Sequence, residues 1–231
     1  MQSLPEGFRA LVMGASGAIG AALAQRLEAE PRCGSVLRLG RGSVPPVDFD
    51  DEHRVAQAAL ALRDRGPFHL IVNAAGVLHT PQFMPEKRLG QLGYDQMERT
   101  FRINAFGPAL LLAHFAPLLD RQRGVMAMLS AKVGSIGDNR LGGWYSYRAS
   151  KAALNMFVKT AAIEMQRNNP NAVIVALHPG TVDSPLSRPF RGAGIGRPAP
   201  EAAADLLRVM DGLGAEDTGG FFSYDGERLG W

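Results

Sequence analysis

Short, mainly apolar runs alternate along this chain with longer stretches of helical periodicity. Phe8 to Met13 is the first such run and predicts a strand. The segment Gly14-Ala15-Ser16-Gly17-Ala18-Ile19-Gly20 follows, and the alanine- and leucine-rich stretch from Ala21 to about Glu30 predicts a helix. Ser35 to Gly40 predicts a second strand. Val44 to Val47 carries two prolines and predicts only a short edge strand. A helix is expected from near Glu52, capped by Asp50 or Asp51. Phe68 to Val72 predicts a strand, and 80–93 a loop rich in proline, glycine and charge. Tyr94 to Leu119 predicts a long helix that Pro108 should kink or break. Gly124 to Leu129 predicts an uncharged strand, and the glycine-rich loop Lys132 to Gly143 leads into a helix through Val158. Ala172 to Leu177, Glu201 to Met210 and Gly219 to Tyr224 predict a strand, a helix and a final strand. Such alternation argues an α/β fold, a doubly wound parallel sheet with helices on both faces.

Composition narrows this little. At 231 residues with no repeat, linker or low-complexity segment, a single domain over 1–231 is expected. The formal charge of +3 and the lack of any like-charge block give no case for nucleic acid or a membrane surface. The longest apolar run, Pro108 to Leu119, contains His114 and is too short to span a bilayer. Cys33 is the only cysteine, so no internal disulfide forms and a reducing compartment is natural. No basic-then-apolar pattern precedes Gly7, so no signal peptide is read and a cytoplasmic location is expected. No metal is expected.

The chemistry changes the picture more. A strand, a glycine turn and a helix in succession form the Rossmann-type arrangement in which backbone approaches a pyrophosphate at a helix N-terminus. About 20 residues on, the second strand ends in Gly40 and Arg41. An acidic residue there would accept the 2′-hydroxyl of NAD, whereas a small residue followed by a guanidinium suits a 2′-phosphate, favouring NADP(H) over NAD(H). Asp48 is a candidate acceptor for an adenine amino group. Asn73-Ala74-Ala75-Gly76 ends a strand, where open α/β sheets bind ligands. Asn104 lies in an otherwise apolar helical pattern and needs partners if buried. Tyr147 and Lys151 are i and i+4, on one helix face. A free phenol titrates near pH ~10. A nearby ammonium favours the phenolate, typically by roughly 1–3 pH units, toward the range where proton transfer works.

Taken in order, the glycine turn, Asn73-Ala-Ala-Gly76, Asn104-Ala-Phe-Gly107, Tyr147-Arg-Ala-Ser-Lys151 and Pro179-Gly180 resemble the short-chain dehydrogenase/reductase family over nearly the whole chain. More narrowly, Gly134-Ser135-Ile136, Gly142-Gly143-Trp144-Tyr145, Tyr147-Arg148 and Phe221 to Gly226 resemble its C-factor and sniffer-like carbonyl reductase branch. The resemblance implies hydride transfer between a nicotinamide and a small carbonyl or alcohol. Tyr147 would be the acid in reduction. Lys151 would tune it and hold the nicotinamide ribose, and Asn104 would hold a water linking Lys151 to solvent. Gly14, Ser16, Ala18, Ile19 and Gly20 would line the pyrophosphate, and Arg41 the 2′-phosphate. Asp48 and Phe49 would lie near adenine, with Asn73, Ala74 and Gly76 beside its ribose. Pro179, Gly180, Val182 and Ser184 would face the carboxamide. A dimer or tetramer is implied as well.

The chain departs from the family pattern in three places. Ala18 stands where the middle glycine is usual, with Gly17 one place earlier, and Met13 stands where a threonine is usual. Ala131 occupies the place of the catalytic serine. Ser135 is the favoured replacement, because strand alternation should point Ser130 the other way; the third option is that neither serine acts. Phe83, Met84, Trp144, Tyr145, Leu186 and Phe190 are candidates for an apolar pocket wall. Arg188, Arg191 and Arg197 are either attractors for an anionic substrate or solvated charges. The displaced serine keeps a second reading open, a nucleotide-binding signalling or scaffold protein with little turnover.

Overall fold

The computed structural model describes residues 1–190 and 192–231. Among them, six strands form one parallel sheet: β1 (Phe8–Met13), β2 (Cys33–Leu39), β3 (Leu70–Asn73), β4 (Gly124–Leu129), β5 (Ala172–His178) and β6 (Phe221–Ser223), in the order β2-β1-β3-β4-β5-β6. The main helices are α1 (Ala18–Glu28), α2 (Glu52–Leu62), α3 (Tyr94–Phe101), α4 (Gly107–Phe115), α5 (Tyr145–Asn168), the short α6 (Gly192–Ile195) and α7 (Ala199–Gly212). β1, β3, β4 and β5 are buried on both faces, which is why they read as mainly apolar runs, interrupted in β1 only by the half-buried Arg9. Alternate residues leave to opposite sides. Leu11, Ile71, Met126 and Ile174 pack with α2, α4 and α5, while Val12, Val72, Val125 and Val173 pack with α1 and α7. The fold is thus the doubly wound sheet that the alternation predicts.

Two elements differ from expectation. Residues 44–47 form no strand, so β2 is the sheet edge. Pro45 and Pro46 have no N–H to give a ladder. The Ser43 hydroxyl donates to Gly40 O and Pro45 O, and Val47 N–H donates back to Gly40 O, so the segment curls against the end of β2. Asp51, not Asp50, caps α2, accepting from His53 N at 3.0 Å and Arg54 N at 3.4 Å. The long helix expected over 94–119 is interrupted one turn before its proline. Arg102–Phe106 is a π-helical turn between α3 and α4, closed by Gly107 N–H donating to Arg102 O. Pro108 cannot bond the carbonyl of Asn104, four residues earlier, and the wider turn accommodates the missing bond. Asn104 therefore sits inside a local irregularity.

Strand order reverses at β1 and β3, and the crevice beyond the carboxyl ends of such strands is where open α/β sheets bind ligands. There Gly14, at φ +74°, packs so closely that a Cβ would lie 2.6 Å from Ala75 N.

Candidate active site

Two cavities open along this rim. The first, of about 310 Å³, is bounded by Gly14, Ser16, Gly40, Arg41, Asp48, Phe49, Ala74 and Gly76. α1 starts beside it. Gly17 makes no side-chain cap and no acidic residue lies in the first turn, so the leading amides at Ala18, Ile19 and Gly20 are uncapped donors. Gly20 is obligatory, because a Cβ there would lie 2.2 Å from Gly14 O. Uncapped amides at the positive end of a helix make a cradle for an anion. Arg41 is exposed at the rim and forms no ion pair among the described residues. The donors present, amide and guanidinium, fit a phosphate-bearing nucleotide. The Phe49 ring is seated on Gly107, where a Cβ would come within 2.2 Å of it. Asp48 accepts from Asp50 N at 3.1 Å. Asn73 is 1 % exposed and forms the floor below the wall, its Oδ1 accepting from Ala75 N at 3.2 Å and turning the chain into Ala74–Gly76.

The second cavity, of about 320 Å³, holds Tyr147 in its wall. Ile19, Pro179, Gly180, Val182 and Ser184 line one side, and Leu78, Val133, Trp144, Leu186 and Phe190 the other. Lys151, one helical turn beyond Tyr147, lies 5.9 Å from the centre of its ring and donates to Leu129 O at 2.9 Å. Both are buried. Burial pushes the Tyr147 phenol up to about 12 and the Lys151 ammonium down to about 8. The expectation of an acidified phenol is overturned: the ammonium is held by a strand carbonyl, and desolvation of the phenolate outweighs its attraction.

Asn104 is fully buried and ties three elements together. Its Oδ1 accepts from Val77 N at 2.8 Å, and its Nδ2 donates to Val77 O at 2.8 Å and Ser150 Oγ at 3.1 Å. Ser150 Oγ in turn donates to Tyr147 O. A Cβ on Gly76 would lie 3.5 Å from Asn104 Oδ1 and 3.7 Å from Lys151 Nζ, so these groups converge on one glycine.

The serine expectation needs correcting. Ser135 does not border the Tyr147 cavity; its hydroxyl accepts from Asp138 N at 3.3 Å beside a separate groove with Glu227 and Trp231. Lys132–Gly134 closes as a 3₁₀ turn, with Gly134 against Lys151 so tightly that a Cβ would lie 2.7 Å from the lysine Cβ. That turn carries Ser135 past the cavity. Ser130 and Ala131 do border it, but the Ser130 hydroxyl donates to Asn155 Oδ1 at 2.6 Å, and Ala131 packs with Tyr147 and Leu78. His178, also in the wall, has a buried Nδ1 without a partner, and burial pushes its imidazole down to about 4, so it is neutral.

Of the expected apolar wall, Trp144, Leu186 and Phe190 are in place, whereas Phe83, Met84 and Tyr145 lie elsewhere. Leu78, Val133 and His178 were not foreseen; their only sequence signal is position just beyond a strand end. Trp144 adopts φ 54° and ψ 43°, after Gly142 and Gly143 at φ +64°. That left-handed conformation costs a non-glycine roughly 1–2 kcal/mol. It sets the indole edge-on to Phe190 at 5.0 Å and to Tyr147 at 6.1 Å. Arg188 pairs with Asp183 at 3.0 Å, and Arg197 pairs with Asp205 and lies over the Tyr224 ring. Both charges are balanced and offer an anionic substrate little; Arg191 lies outside the described residues.

A family model described as short chain dehydrogenase matches residues 43–193. The C-signal protein of Myxococcus xanthus is 38 % identical over 168 residues, covering 72 % of this chain and 94 % of that one. The 1-hydroxy-2-glutathionyl-2-methyl-3-butene dehydrogenase of Rhodococcus sp. (strain AD45) is 34 % identical over 187 residues, covering 81 % and 79 %. The NADPH-bound carbonyl reductase from chicken fatty liver superposes with a TM-score of 0.83 at 22 % identity, covering 99 % and 96 %.

Proposed function

The chain belongs to the short-chain dehydrogenase family, and from that premise we propose that it reduces an apolar aldehyde or ketone with NADPH. As a member it is a nicotinamide-dependent oxidoreductase acting between C=O and CH–OH groups. The nicotinamide, when bound, supplies the hydride. The chain's own residues supply position and a proton. One observation carries the reading: Tyr147 faces the second cavity from an apolar wall with Lys151 one helical turn away, and burial pushes its phenol up to about 12, so it is protonated in the neutral range. A neutral phenol is the form that protonates a carbonyl oxygen. As the proton leaves, negative charge develops on the phenol, and the buried Lys151 one turn away stabilises it more strongly than it would in water.

Lys151 also reaches the nicotinamide ribose in this reading. Asn104 secures the π-helical turn and leaves its main-chain carbonyl without the usual amide four residues on, free for a water beside Lys151. Ile19, Pro179, Gly180, Val182 and Ser184 would take the nicotinamide, while Gly14, Ser16, Ala18 and Gly20 would seat the pyrophosphate. Asp48 and Phe49 would flank adenine, and Asn73, Ala74 and Gly76 its ribose. No serine is assigned a role. Leu78, Trp144, Leu186 and Phe190 make one side of the Tyr147 cavity apolar and suit an apolar substituent. The α4–α5 face, with Phe157 exposed along a groove lined by Leu112 and Ala161, suits pairing with a second subunit. Light scattering at micromolar concentration should then give a dimer or tetramer mass, and a monomer mass would exclude it.

Loss of NADPH absorbance with a panel of apolar aldehydes and diketones tests the reaction. Binding of NADPH without turnover of any member would instead favour a nucleotide-binding signalling protein. The pH profile is a second check. Lys151 is charged below about 8 and neutral above it. Reduction should therefore be level through neutrality and fall as pH rises through that value. A kcat still level at about pH 10 would remove Lys151 from the proton-transfer step.

A further inference from the structure

Glu86 lies 60 residues before the tyrosine helix, in the loop after β3, yet its side chain is only 2 % exposed. Its carboxylate accepts from Ser146 N at 3.1 Å and from the Ser146 hydroxyl, and its main-chain carbonyl accepts from Trp144 N. α5 has no side-chain cap of its own, since its N-cap residue is Trp144. Glu86 supplies that cap from another segment. A separate contact, through the Glu86 main-chain carbonyl, holds Trp144 N, and a Cβ on Gly143 would meet that same carbonyl at 3.6 Å. The loop is itself fastened, through Gln96 Nε2 donating to Met84 O at 2.9 Å.

We propose that the Glu86 carboxylate is a positioning group for the reaction: acting through Ser146, it sets the first turn of α5, and with it the Tyr147 hydroxyl. The proposal rests on the reductase reading for its effect on turnover, but not for its effect on the helix start. Shifting a reacting group by a fraction of an ångström is enough to slow catalysis while leaving distant binding intact. The adenine and pyrophosphate end of the nucleotide site, beyond β1, β2 and β3 and at the start of α1, should not feel the change, and Lys151 lies a full turn further into α5.

The test compares Glu86→Ala, Glu86→Gln and Ser146→Ala in the full chain. Glu86→Ala should lower kcat at least about tenfold, with NADPH affinity nearly unchanged. Hydrogen exchange of the Ser146 and Tyr147 amides should quicken, with the sheet unaffected. Glu86→Gln keeps an acceptor for Ser146 N–H and a donor for its oxygen, so it should restore most of the rate. Ser146→Ala, the milder variant, should fall between and decides the matter if Glu86→Ala does not fold. The idea is overturned if kcat and helix-start exchange stay at wild-type values, if the glutamine variant is no better than the alanine one, or if NADPH affinity falls in step with kcat. Should wild type reduce no carbonyl, the reductase reading fails by itself, and exchange at the helix start still decides whether Glu86 holds Tyr147 in place.

Discussion

Tyr147→Phe should lower kcat for carbonyl reduction about a thousandfold, within the range of a lost general acid, while NADPH binds as before. That is about 4 kcal/mol of transition-state stabilisation from one oxygen atom. The ring itself stays packed with Leu78, Ala131 and the Trp144 edge, so the variant keeps the cavity wall and the fold. The serines near the end of β4 are not placed to take over, and Ser184 and Ser187 in the opposite wall bond each other. Ala131 offers a methyl group, Ser130 is spent on Asn155, and Ser135 belongs to a different groove. Loss of NADPH absorbance at saturating substrate measures the rate, and quenching or enhancement of NADPH fluorescence measures the binding. Retention of more than about a tenth of the wild-type rate would move the proton donor to another group.

What could be read from the chain and what could not divides along a physical line. The glycine turn, the Tyr147 and Lys151 spacing, Asn104 within its apolar helix and Pro179-Gly180 are each local, because a few adjacent residues create the feature. The strand pattern is equally local, since strands buried on both faces announce themselves as mainly apolar runs. Val44 to Val47 reads as an edge strand from its apolar ends, but two prolines remove the ladder donors and the Ser43 hydroxyl bonds curl the segment. Ser135 was misplaced because the 3₁₀ turn at Lys132–Gly134 is decided by how closely Gly134 must approach α5. The direction of the Tyr147 shift was missed for a related reason. A lysine at i+4 is visible in the sequence, but the depth of burial that outweighs it is a property of the whole fold. Glu86 left no local trace at all, since its partner, Ser146, is distant in sequence and becomes a neighbour only when the loop after β3 folds over the helix start.

Arg41→Ala should weaken NADPH by about 10- to 100-fold and leave NADH nearly unchanged, converting a selective site into an indifferent one. The size follows from charge-assisted hydrogen bonds to a phosphate, worth about 1.5–3 kcal/mol in all. The selectivity follows from what surrounds the residue. Gly40 before it has no side chain, so the end of β2 presents no carboxylate to accept a ribose 2′-hydroxyl. The nearby acids are otherwise occupied: Asp50 is held by Arg99 at 2.7 Å, and Asp48 accepts from the Asp50 amide. Arg99 borders the same cavity but bonds both oxygens of Asp50, so it would have to break that pair to replace Arg41. Because Arg41 is exposed, its contribution should shrink as salt rises, and both nucleotides must be titrated at one ionic strength. Fluorescence titration of NADPH and NADH against wild type and variant gives four Kd values. Equal weakening of both nucleotides would mean that Arg41 supports the cavity as a whole, and no weakening of either would mean that the 2′-phosphate is bound by another group.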